Sequence, residues 1–315
     1  MRKTTWAAVW ALIAIMSILG LAMGRPGLLG QASGKDAEPA IKKGDDLFKN
    51  GKYHEAIQAY KDALNKDANS DHAMEYTILC YNKMADREQA RAWMKKRLEI
   101  PGQTPSIKAR VLTDLALLYW DEARSDLLRS SMSGDKMKAG DASVILKLAA
   151  DGTESAQKAA VIAPKSAKAF NLLNLLERVQ ADIEQDGSKQ KELLAKADEA
   201  LRHSIEFYES STQQQQTHDM FGVPTVSVSG DKSSDGVKLG RAKKLGQGAV
   251  QGAKEKSIAV EVLVGLDGKV LMHRTVPAAA KPGDAAEAAK DWEFEPSTFE
   301  GHTVQVLELI SLPSK

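Results

Sequence analysis

Apolar positions recur with two different periods along the chain, and the change of period divides it. From residue 38 to 209 the rhythm is helical: Gly44, Leu47 and Phe48, then Ala56, Ile57, Tyr60, Ala63 and Leu64, fall three or four apart on either side of Asn50-Gly51. That spacing puts one apolar stripe on each of two helices, and the Asn-Gly break predicts that they fold back antiparallel. Small residues (Gly44, Ala56, Ala63) fall where the helices must approach closely, and Leu47, Tyr60 and Leu64 fill the space between. Beyond residue 254 the period is two. Ile258, Val260, Val262 and Val264 share one face of a strand, which predicts one buried face and one wet one. Asp267-Gly268 predicts a two-residue hairpin turn, because glycine takes φ > 0 without strain. Val270, Met272, Arg274 and Val276 continue as the return strand, and Ala285 to Ala289 reads as one or two helical turns. Trp292 and Phe294 follow on one side of an extended segment that Pro296 stops; Gly301 turns the chain, and Val304, Val306 and Ile310 form a third strand.

A shift of one repeat brings Ile78, Tyr81, Ala90 and Met94 onto the places of Gly44, Leu47, Ala56 and Tyr60. The pattern resembles a tetratricopeptide repeat, whose period is about 34 residues. A third pair is stretched, from Ile107 to Leu128 and from Val144 to Ala163, around a Ser/Gly/Asp-rich insertion at Ser130–Asp141. Its close, Ala159-x-x-Ile162-Ala163-Pro164-x-x-Ala167, looks like a repeat boundary, and Ala169–Ile183 with Glu192–Phe207 makes the last pair, broken at Asp186-Gly187. About four stacked pairs bury a continuous core, and the resemblance implies a concave surface that holds a peptide or helix. An irregular helical bundle is the alternative.

The C-terminal order of features resembles the C-terminal domain of TonB-type proteins. The resemblance rests on Val262-x-x-x-x-Asp267-Gly268-x-Val270, Ala285-Ala286-x-x-Ala289, Trp292-x-Phe294-x-Pro296, and Gly301 followed by Val304 and Val306. It implies contact with partners by strand addition, with Trp292, Phe294, Val304 and Val306 as the candidate partner-binding residues. The spacing of Trp292 and Phe294 puts both on one strand face, which favours two anchors of the domain's own core over partner contacts.

The N-terminus adds a compartment. Arg2 and Lys3 precede an uncharged run from Thr4 to Gly24, and about 20 apolar residues suffice to cross a bilayer. Ala22-Met23-Gly24 and Gly30-Gln31-Ala32 could each serve as a cleavage site, so the run is a retained anchor or a signal peptide. The basic pair before the span predicts a cytoplasmic N-terminus and an exported bulk. The expected placement is the bacterial inner membrane with a periplasmic body, or the periplasm after cleavage. The fold class is therefore α+β: an N-terminal membrane helix (1–24), a linker (25–37), all-α tetratricopeptide-like repeats (38–209), a Gln/Gly/Ser/Lys-rich linker (210–253) and a small β-β-α-β TonB-like domain (254–315). Val223–Val228 alternates within that linker and suits a short strand.

Composition removes several classes. Lys plus Arg (43) balances Asp plus Glu (42), so no global charge points to nucleic acid. Basic residues gather between Lys232 and Lys256, as a patch for an anionic surface or as a solvated linker. The lone Cys80, among Ile78, Leu79 and Tyr81, reads as a buried thiol. Histidines 54, 72, 203, 218, 273 and 302 show no metal-ligand spacing. Gly246-Gln247-Gly248-x-x-x-Gly252 fits neither phosphate-binding pattern, and no Gly-x-Ser-x-Gly elbow occurs. No cofactor and no catalytic residue is expected.

Two functions fit. The first is a non-enzymatic envelope adaptor whose repeats hold one protein and whose TonB-like domain engages another. The second is an energy transducer coupling an ExbB/ExbD-like motor to an outer-membrane transporter. Against the second, the family's anchor carries a Ser and a His one turn apart, whereas here Leu21 follows Ser17 and the span has no His. Residues 210–256 also hold only Pro224, where the family has a Pro-rich spacer.

Overall fold

The computed structural model describes residues 34–132, 137–211, 220–228, 236–244, 257–276 and 289–313. The N-terminal span, the Gln tract, the Gly246–Gly252 run and the helical turn at 285–288 lie outside the described residues. Among those described, no helix is long and apolar enough to cross a membrane.

Eight helices are described: α1 (Gly34–Lys49), α2 (Tyr53–Lys66), α3 (Asp71–Lys83), α4 (Arg87–Leu98), α5 (Pro105–Met132), α6 (Ala139–Ile162), α7 (Ala167–Ile183) and α8 (Gly187–Ser210). The repeat is visible in the turns as well as in the apolar stripes. Lys52 N–H donates to Leu47 O at 2.9 Å across the first turn, and Asp86 N–H donates to Tyr81 O at 2.9 Å across the second, one period later. Both turns need a left-handed residue to release the helix. Gly51 supplies it at φ +72°, and Ala85, its equivalent, is forced to φ +57°. The closing geometry also recurs. Asp67 N–H bonds Ala63 O and Ala163 N–H bonds Ala159 O, both at 2.8 Å, and Ser70 and Ser166 then cap the next helices. Gly44 lies where Tyr60 crosses: a Cβ there would stand 2.5 Å from the ring. The residues at the shifted positions, Ile78, Tyr81, Ala90 and Met94, are all buried, as is Cys80. Burial pushes the Cys80 thiol up to about 11.

The strands are β1 (Thr225–Val228), β2 (Val237–Lys238), β3 (Ala242–Lys244), β4 (Ser257–Val264), β5 (Val270–Val276), β6 (Glu293–Phe294), β7 (Ser297–Phe299) and β8 (His302–Pro313). Five run in the order β2-β7-β8-β4-β5, with β1 parallel to β8, and β3 pairs with β6. Three strands thus arise within 210–253, which composition alone reads mostly as linker; each finds its partner in the C-terminal strands rather than in its own neighbours. The hairpin differs from expectation too. Val264 pairs with Val270, leaving five residues in the connection, because Gly265 N–H bonds Lys269 O at 2.8 Å and closes a wider turn. Gly268 stands at φ +83°, and a Cβ there would meet Phe294 O at 2.0 Å. Glycine is required at this position by both backbone and space.

The second face of β4 is not wet. Val260, Val262 and Val264 pack with Ala289, Trp292 and Phe294, as their alternation requires. On the other face Leu263 and Leu307 of β8 enter the helical core beside Trp120, Leu172 and Leu176. Glu261, also on that face, is 0% exposed, and its Oε1 accepts from Nε of the equally buried Arg124 at 3.0 Å. The helices cover a face that the sequence pattern leaves to solvent.

Candidate functional site

Between α3, α4, α5 and the outer strand β5 lies an open groove of about 530 Å³. Helical spacing on α3 and α5 points Ile78, Leu79, Val111, Leu117 and Leu118 toward it, and Trp120, Phe221 and Met272 close the far end. Leu79 is 37% exposed, on the side of its helix away from the buried Thr77, Cys80 and Tyr81. Around this apolar floor runs a charged rim whose members are already paired. Arg97 binds Asp71 through two bonds of 2.6 and 2.7 Å and Glu75 at 2.8 Å. Arg110 reaches Glu75 at 2.7 Å. The hydrogen bond from Arg110, with Arg97 beside it, holds the Glu75 carboxyl below its ordinary range.

At the sheet end Asp121 joins Arg87 at 2.5 Å to Arg274 at 3.3 Å, and Arg274 also bonds Glu261. Arg124 adds Asp182 at 3.6 Å. A chain of alternating charge therefore runs from the rim to the buried seam between helices and sheet. Such a site offers an apolar trough with oriented charges along its edge, suited to an amphipathic peptide or helix. Among the described residues no group of three or more His, Cys, Asp or Glu is placed to hold a metal ion.

The sequence-derived contact residues lie elsewhere. Trp292 (2% exposed) and Phe294 (6%) sit under β4. Val304 and Val306 pack against Leu201 and Ile205 of α8. All four are interior in this structure, since the strand faces that carry them are covered by the chain itself. What sequence reasoning missed is the seam. Glu261 in the middle of an apolar strand, and Asn171 and Asn174 in the apolar helix α7, were its only outward signs.

No family model matches the chain, and no curated protein matches it. Solved structures do. A MamA double mutant from RS-1 is 20% identical, covering 53% of this chain and 76% of its own, at a TM-score of 0.34. YrrB, described as a TPR protein with an unusual peptide-binding site, is 16% identical over 60% of this chain and 91% of its own, at 0.26. PilF of Pseudomonas aeruginosa is 16% identical over 56% and 85%, at 0.24. At these TM-scores the likenesses carry no argument, and the repeat architecture rests on the chain's own recurring turns and stripes.

Proposed function

We propose that this protein is a non-enzymatic adaptor of the bacterial cell envelope that binds other proteins through its helical repeats. The observation that carries the reading is the open groove, with its apolar floor and an edge of charges already neutralised in pairs. A partner segment that covers Leu79 and the floor removes apolar surface from water without stranding any of those charges. The envelope placement rests on the apolar run at 4–24 behind Arg2 and Lys3. The TonB-like part rests on the Ala285-Ala286…Trp292-x-Phe294-x-Pro296…Gly301 run. That run also favours the second reading, an energy transducer coupling a motor to an outer-membrane transporter.

The test is in-cell photocrosslinking in the native host, with a photoreactive residue at Leu79 in the groove or at Leu271 on β5, which is 50% exposed. A specific envelope protein captured at Leu79, without ExbB/ExbD-like components, is the expected result. Joint recovery of motor components and an outer-membrane transporter would establish the transducer instead. Absence of any specific adduct at both positions, with the protein at its normal level, would overturn both.

A further inference from the structure

Phe221 closes a short 3-10 turn (Met220–Gly222), and Val223–Val228 runs on from it in a slot whose two walls come from distant parts of the chain. On one side β1 pairs in parallel with β8, from Thr225 opposite Gln305 to Val228 opposite Glu308. Gln305 N–H donates to Pro224 O at 2.9 Å. On the other side the wall is not a strand but two side chains of α7. Asn171 Nδ2 donates to Phe221 O at 3.0 Å and to Val223 O at 3.1 Å, and its Oδ1 accepts from Thr225 N–H at 2.9 Å. Asn174 Nδ2 donates to Thr225 O at 2.7 Å. A neighbouring strand would meet the N–H and C=O of alternate residues in this way. Both asparagines are fully buried, and Arg178, itself bonded to Asp198 at 2.6 Å, orients Asn174 by donating to its Oδ1 at 2.7 Å.

The slot therefore reads main chain. Its side-chain preferences are apolar: Phe221 stands edge-on to Trp120 with centroids 5.2 Å apart, and Val226 and Val228 join Leu201, Ile205 and Val306. Pro224 sits where only a carbonyl is used. One position fits badly. Ser227 is 7% exposed, the register sets it beside Leu307, and its Oγ has no hydrogen-bond partner among the described residues. An unpaired buried hydroxyl is unfavourable. The occupant thus matches the slot along its backbone and fails it at one side chain, where an alanine or valine belongs.

We propose that this slot binds an extended segment of a partner protein, with the pattern aromatic-x-Val-Pro-Thr-Val-(Ala/Val)-Val, and that Phe221–Val228 is its resident occupant, exchanged for the partner's strand. The inference shares with the adaptor reading the premise that the partner is a polypeptide and one residue, Phe221, which also lines the groove; Asn171 and Asn174 line only the slot, so the two can fail separately. The probes are two fluorescein-labelled synthetic peptides, residues 220–228 as they stand and the same with valine for Ser227, titrated into the full chain by anisotropy. A tethered occupant competes at an effective concentration of order millimolar, so the unmodified chain binds either probe weakly, and Phe221→Ala, which loosens the occupant, tightens binding about tenfold or more. The valine probe binds about fivefold or more tighter than the serine probe. Adding Asn171→Ala to Phe221→Ala abolishes binding. Equal affinity of the unmodified and Phe221→Ala chains, or of the two probes, would overturn the proposal.

Hydrogen exchange on the unmodified chain guards against variants that fail to fold. The β1 amides should exchange about tenfold or more faster than those of β4, by an opening of their own. Exchange of both strands in one global event would sink the exchange step. Probe binding without any adduct at Leu79 would remove the groove and leave the slot, and the converse would remove the slot.

Discussion

Removing the Glu261 carboxylate tests the seam between helices and sheet most directly. Glu261 accepts from Arg124 Nε at 3.0 Å and from Arg274 Nε, and both Arg124 and Glu261 are sealed from water. The two arginines would respond differently to Glu261→Ala. Arg274 is 29% exposed and keeps Asp121 at 3.3 Å and Ser125 at 3.2 Å, so water and these partners replace much of what it loses. Arg124 keeps Asp182 at 3.6 Å but is sealed from water, so no solvent takes the place of the lost carboxylate. Removing one partner of a buried ion pair costs about 3–5 kcal/mol. At about 2–4 °C per kcal/mol for chains approaching this size, the melting temperature falls by roughly 6–20 °C. Arg124→Met costs a similar amount by leaving Glu261 buried beside one arginine. The pair Arg124→Met with Glu261→Leu removes both charges and refills the volume, so it should lose no more than about 2 kcal/mol. Urea unfolding followed by circular dichroism, with Glu261→Leu as the second single variant to complete the double-mutant cycle, measures this. If the two single losses add within about 0.5 kcal/mol, the residues do not act as a pair and the account of the seam is wrong.

Three further outcomes follow from the same structure. Ala85→Gly should raise stability by about 0.5 kcal/mol, since relief of the left-handed strain at φ +57° slightly exceeds the added unfolded-state entropy; a lowered melting temperature would show that Ala85 is not strained. Gly44→Ala should lower it by about 1–3 kcal/mol despite alanine's better helix propensity, because the Tyr60 ring is buried and its hydroxyl is tied to Asp45 at 2.7 Å; thermal unfolding decides which effect wins. Burial pushes the Glu177 carboxyl up to about 7, and its Oε2 is without a hydrogen-bond partner among the described residues. The folded state therefore holds a proton that the unfolded chain releases near its ordinary value. Stability from this group is lost as pH rises from about 4.5 through 7. Glu177→Gln should accordingly raise the melting temperature at pH 8 more than at pH 5, and an equal gain at both would refute the burial argument.

The helix pairs were legible because each carries its signal locally. The stripes, the Asn50-Gly51 break and the small residues at crossings belong to one stretch of chain, and the structure uses them where the spacing puts them. The strands of the C-terminal unit were half legible. Period two distinguished the faces of β4 correctly, but it measures a contrast between faces and not whether the second is covered. Ala259 and Leu263 on that second face were quiet signs that it is. The seam showed only as isolated polar residues in apolar elements, without their partners. Arg124 and Glu261 meet across 137 residues of sequence, and Asn171 bonds Val223 across 52; no window short enough to show periodicity spans either. The same distance kept Trp292 and Phe294 between two readings. Their shared strand face favoured a core, and the residues that cover it, Val260, Val262 and Val264, come from another strand.

The sheet also sets a limit on growth. Leu201 and Ile205, the face of α8 on which another helix pair would stack, are filled by Val226, Val304 and Val306, and Arg202 binds Glu300 through bonds of 2.9 and 2.7 Å at the same border. Arrays of helix pairs lengthen by copying a unit onto an open end, and they need a dedicated terminal surface to stay in solution. Here that surface is made of strands encoded downstream of the array. A duplicated pair inserted after Ser210 would have no face to dock on unless β1 and β8 left theirs. The number of helix pairs in this protein is thus tied to the presence of its C-terminal strands, and the two can change only together.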